Sequence, residues 1–131
     1  MATGLMLAIG AVSISVSQDL YLKNDLEIAT ISLSQTVREA QMMAKEGYRD
    51  SRWGVKVQQE ELTLYKGTSY DSRDTIFDEK ITIPKGVEIT GVDDFNFSKL
   101  EGEPQTSGNI SLKISSYENN ISVNEKGILS Y

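Results

Sequence analysis

No charged side chain occurs before Asp19, and no proline before Pro84. Leu5, Met6, Leu7, Ala8, Ile9, Ala11, Val12, Ile14 and Val16 make this opening the most apolar stretch of the chain. Apolar surface on most sides of a helix has to be removed from water by something. The opening is shorter and richer in Ser than a spanning helix of about 20 apolar residues. Met1-Ala2-Thr3 also lacks the basic n-region of a secretory signal peptide. It reads as a partial membrane segment, or as one whose beginning lies further upstream. A buried core helix is the competing reading for a run of this length. A small head cannot cover such a helix on most sides, so a membrane or a helical bundle is expected to do so.

From Asp19 to about Glu46 the pattern becomes amphipathic. Leu22, Leu26, Ala29, Leu33, Val37, Ala40 and Ala44 recur at spacings of three or four, with Lys23, Asp25, Glu27, Gln35, Arg38, Glu39 and Gln41 between them. This predicts one helix, apolar on most sides early and on one face later, with that face packed on a head. Gly47 fits the left-handed cap that ends it. Beyond Gly47 the period switches to two. Trp53, Val55 and Val57 alternate with Gly54, Lys56 and Gln58, and Leu62 and Leu64 with Thr63 and Tyr65, around a Gln58–Glu61 connection. Further strands are expected over 80–83, 87–90, 95–98, 110–114, 121–123 and 128–131. Turn chemistry is expected at 84–86, 101–108, 118–120 and 124–127. One long helix followed by many strands predicts an α+β fold with the helix across an antiparallel sheet. Residues 1–47 form the helix (1–18 the apolar anchor or assembly segment, 19–47 the amphipathic part) and 48–131 the β-rich head.

A chain of 131 residues suffices for one compact domain. It has neither Cys nor His, which excludes disulfides, thiolate nucleophiles, Ser-His-Asp triads and the usual zinc ligands. The net charge of −6 weighs against a role built on phosphate contacts.

The order of apolar start, amphipathic helix, Trp-Gly-Val strand and β-meander resembles type IV pilins and the pseudopilins of type II secretion, especially minor, GspH- and FimT-like members. Leu33 to Ala44 looks like the end of their long helix, and Ser51-Arg52-Trp53-Gly54-Val55 like their first head strand. Phe95-Asn96-Phe97, Gly102-Glu103-Pro104, Gly108 to Leu112, Asn120 to Asn124 and Gly127-Ile128 look like their closing hairpins. The family's basic leader and Phe-Thr-Leu-Ile-Glu run have no counterpart. Matching Gly10 to the glycine inside the family's apolar helix puts Met1 a few residues past the cleavage point.

The resemblance implies a structural subunit, not an enzyme, of a type IV pilus or type II secretion-like filament. Leu5, Met6, Leu7, Ile9, Val12, Ile14 and Val16 would anchor it in the cytoplasmic membrane, with the head extracytoplasmic, and then join the core of an extracellular or periplasmic filament. Its partners would be other pilin-like subunits, with no cofactor, metal, nucleic acid or small-molecule substrate. The rival expectation is a membrane-tethered binding or adhesin module that does not polymerise.

Three smaller signals compete with that reading. Asp71, Asp74, Asp78 and Glu79 supply oxygen ligands of the kind calcium takes, but without EF-hand spacing and with Arg73 among them, so a solvated turn with a local ion pair fits better. Arg49, Arg52, Lys56 and Arg73 beside Trp53 would suit DNA binding, as in pilin-like proteins of competence systems. The net charge favours a core Trp53 with solvated arginines instead. Glu60-Glu61 and Asp93-Asp94 are adjacent on strands and point to opposite faces, which disfavours a paired-carboxylate hydrolase.

Overall fold

A computed structural model describes the backbone of residues 2–130 and the side chains of residues 20–130. Helix α1 runs from Ala2 to Lys45 without interruption, about 66 Å at the helical rise. Gly47 ends it in the left-handed region (φ 64°), with its N–H on the Ala44 carbonyl at 3.0 Å. The chain leaves through a short 3-10 turn, Tyr48–Asp50.

Among the described residues eight strands follow: β1 (Trp53–Gln58), β2 (Glu61–Lys66), β3 (Asp74–Thr82), β4 (Glu88–Gly91), β5 (Asp94–Phe97), β6 (Gly108–Ile114), β7 (Tyr117–Val123) and β8 (Leu129–Ser130). They form two antiparallel sheets, ordered β3-β2-β1-β5 and β4-β6-β7-β8, where the sequence pattern suggested one. The handover occurs at Val92-Asp93. The Val92 N–H bonds the Asn109 carbonyl (3.1 Å) in one sheet, and the Asp93 carbonyl accepts from Val57 (2.7 Å) in the other. The Gln59 side chain ties the sheets again. Its amide donates to the Ile89 carbonyl (2.7 Å) and its Oε1 accepts from the Ile89 N–H (3.1 Å).

The core lies between α1 and both sheets. Trp53, Val55, Phe95 and Phe97 come from the first sheet, and Ile110, Leu112, Ile121 and Val123 from the second. Each large side chain removed from water contributes about 1.5–3 kcal/mol. Thr30 and Ser34 are buried on the helix flank, where their hydroxyls bond the carbonyls four residues back (2.8 and 2.9 Å).

Two local expectations are corrected. Glu118-Asn119-Asn120, read as a turn, lies inside β7 and pairs with Lys113, Leu112 and Ser111; the turn is Ser115-Ser116. Pairing with β6 overrides the local preference of Asn for turns. Strand β3 begins at Asp74, well before the expected Lys80, and so takes in Asp78 and Glu79. It is an edge strand, where Glu79 reaches water and Asp78 is taken up by its ion pair with Arg73.

Candidate functional site

Helix α1 presents a filled apolar face and an outer face on which exposed apolar side chains are interspersed with Asn24, Gln35, Arg38 and Glu39. The inner face is the stripe read from the sequence. Leu26, Ala29, Leu33, Val37, Ala40 and Ala44 are buried against the head, and Leu22 packs half-buried at its edge. Alanine at three of these positions lets the helix axis approach the sheets closely. The last turn is stapled by loops of the head. The Leu100 N–H bonds the Ala44 carbonyl (2.8 Å), and the Gln41 amide bonds the Gly102 carbonyl (2.9 Å). The first bond goes to a carbonyl of the helix end, and both tie the head to the rod.

The outer face was not expected to be apolar. Leu20, Tyr21, Ile28, Ile31 and Met42 are 61, 70, 42, 46 and 54% exposed. At 100° per residue they cluster opposite the inner stripe. Tyr21, Ile28 and Met42 fall on a seven-residue repeat completed by Gln35, which is the signal in the sequence that finds them. Large side chains in a row along one helix face are what a partner helix requires. Leu5, Met6, Leu7, Ile9, Val12, Ile14 and Val16 lie outside the residues whose side chains are described. Among the described residues no helix is long and apolar enough to cross a membrane.

The four cations near Trp53 do not make a free basic stripe. The Arg52 Nε donates to Asn96 Oδ1 (2.6 Å), Lys56 pairs with Asp93 (3.2 Å), and Arg73 grips both oxygens of Asp78 (3.1 and 2.9 Å). Arg49 stacks on Tyr48 and Phe77. Arg52 and Arg73 are therefore engaged and half-buried, not simply solvated, and Trp53 is core. Among the described residues no group of three or more His, Cys, Asp or Glu side chains comes together as a metal site.

The polar cluster on the far side of β1 is structural. The Tyr65 hydroxyl donates to Asp94 Oδ1 (2.6 Å) and accepts from the Asn96 amide (3.2 Å). Burial raises the Asp94 carboxyl above its ordinary range, against the lowering effect of the Tyr65 hydrogen bond. Burial raises the Tyr65 phenol as well. Gly54 makes the arrangement possible, because a Cβ there would meet the Tyr65 ring at 2.5 Å.

No family model matches the chain, and no curated protein sequence is similar to it. Its structure is similar to that of the minor pseudopilin EpsH from the type 2 secretion system of Vibrio cholerae. The TM-score is 0.59 at 15% identity, over 81% of this chain and 94% of that one. One long helix packed on antiparallel sheets is thus a pseudopilin-like fold.

Proposed function

We propose that this chain, which has the pseudopilin-like fold, is a non-catalytic structural subunit of a pilus or type II secretion-like filament. The observation that carries the reading is the outer row of α1, Leu20, Tyr21, Ile28, Ile31 and Met42, exposed on a helix whose other face is already filled by the head. The charge-free opening before Asp19 extends the same helix beyond the head. In this reading Leu5, Met6, Leu7, Ile9, Val12, Ile14 and Val16 anchor the subunit in the cytoplasmic membrane, with the head extracytoplasmic. On assembly, helices of other pilin-like subunits replace lipid around them and extend the contact along the outer row. The similarity to EpsH supports the fold on which this rests.

Removal of residues 1–18 tests the reading. The shortened protein is expected to fold with an unchanged head and to be absent from filaments sheared from cells. A shortened protein that still enters filaments would refute the assembly role.

A further inference from the structure

Helix α1 stops at Lys45, and the turn Tyr48–Asp50 continues over Trp53 and Phe77 of the first sheet. The Trp53 indole N–H holds the turn by the Tyr48 carbonyl (2.8 Å). Two cations meet there on one ring. The Arg49 guanidinium lies 5.2 Å from the Phe77 centroid, and the Lys66 ammonium lies 5.1 Å from it. Two like charges around one ring sit within about 10 Å, a screening length at moderate salt, and repel each other. The carboxylates best placed to neutralise them are engaged elsewhere. Asp50, beside Arg49 in the chain, pairs with Lys99 (2.5 Å). Asp74, opposite Lys66 in the pairing of β2 with β3, accepts from the Ile76 N–H (3.3 Å). Asp78, beside Phe77, is held by Arg73 (2.9 Å). Among the described residues neither Arg49 nor Lys66 forms an ion pair, although the chain has a net charge of −6.

Arg49 keeps this position at a conformational cost. Its φ is 55°, in the left-handed region where a Cβ is crowded and glycine is cheapest. Asp50 shares the conformation (φ 55°), and its pair with Lys99 gives that side chain a partner within the head. Arg49 is exposed and adds nothing to the core. Its guanidinium lies over Tyr48 and Phe77, and its N–H groups make no hydrogen bond among the described residues. Strain held at an exposed residue points to a task outside the head itself.

We propose that Arg49 and Lys66 form a docking site for a short acidic segment of a partner protein. A carboxylate of the segment meets the Arg49 fork through two parallel N–H···O bonds, the geometry a planar guanidinium favours. A second carboxylate reaches the Lys66 ammonium. In an extended segment, residues two apart share a side at a spacing of about 7 Å, which suits two charges around one ring. Two cations on an acidic chain fit such a segment and not the long run of phosphates that a nucleic acid presents. The site lies on the head, and the inference does not depend on filament assembly.

The probe is the capped peptide acetyl-Gly-Glu-Leu-Glu-Gly-amide, titrated at low salt into the full chain in mild detergent and followed by NMR at the Arg49 Nε–H. The control peptide carries Gln in place of both Glu residues. The Glu peptide is expected to move the Arg49 signal and to bind at least about tenfold more tightly than the Gln peptide. Arg49→Gly should weaken the Glu peptide at least about tenfold and leave Tm equal or higher, because glycine relieves the left-handed strain. Lys66→Gln should weaken it less, and Lys66→Arg should bind as wild type does. Lys85→Gln, in the turn after β3, controls for net charge and should change nothing. Equal binding of the two peptides, wild-type binding by Arg49→Gly, or a clearly lower Tm for that variant would overturn the proposal. Tighter binding of a duplex DNA oligonucleotide than of the Glu peptide would overturn it as well. So would self-association of the chain that Arg49→Gly abolishes, by identifying the occupant as a second copy.

Discussion

The two faces of α1 both carry apolar side chains, yet they differ in what those side chains are shaped to meet. The inner face is built on alanine, with Leu26, Leu33 and Val37 between, and it closes onto the sheets until almost nothing remains exposed. The outer face carries the larger Leu20, Tyr21, Ile28, Ile31 and Met42 and meets water. Small residues suit a partner that is always present and can be approached closely. Large protruding ones suit a partner that arrives later and must be gripped. The head is thus folded by one side of the rod, and the contacts proposed for assembly fall on the other.

That division is open to attack by substitution, beginning with the inner face. Leu33→Ala leaves a cavity in the middle of the core and should cost about 2–5 kcal/mol in urea unfolding. A loss below about 1 kcal/mol would mean that the inner face is not what holds the head. Gly54→Ala probes the layer behind the first sheet, away from the helix. Its Cβ would meet the Tyr65 ring at 2.5 Å and the Phe95 carbonyl at 2.7 Å, and the backbone cannot yield as a flexible side chain would. A loss of about 1–3 kcal/mol is expected, read as a lower Tm. An unchanged Tm would show that this layer is loosely packed.

A smaller effect sharpens the same contrast through pH. The folded state raises the Asp94 pKa, so it binds more protons than the unfolded chain between the ordinary carboxylate range and the raised value. Stability from this group therefore rises as pH falls through that window and declines as Asp94 ionises. Asp94→Asn keeps an acceptor for the Tyr65 hydroxyl and removes the charge. Its urea midpoint should show less of this pH dependence and be equal or slightly higher at neutral pH. An identical pH profile for both proteins would remove Asp94 from the explanation.

Much of the fold was legible because it is local. The inner stripe, the cap at Gly47 and most strands follow from spacings of three to four, a single glycine and alternation. What the pattern hid is set by distant partners. Glu118 to Asn120 look like a turn until β6 is placed beside them. The early start of β3 depends on its place at a sheet edge, and the split into two sheets depends on Val92 and Asp93 bonding to different neighbours. The outer row was masked by its surroundings. Ile28 follows Glu27, Ile31 sits among Thr and Ser, and Gln35 interrupts the repeat. Its meaning emerges only when the head is seen to occupy the opposite side.

The most direct test of the two-face division is a double variant, Leu20→Ser with Ile28→Ser, compared with wild type for both urea stability and content in sheared filaments. Each exposed substitution should alter stability by no more than about 0.5 kcal/mol. Loss of two apolar contacts that the proposed assembly would bury should lower filament content by at least about tenfold. Normal incorporation into filaments, or a stability loss comparable to that of Leu33→Ala, would contradict the division of labour between the two faces.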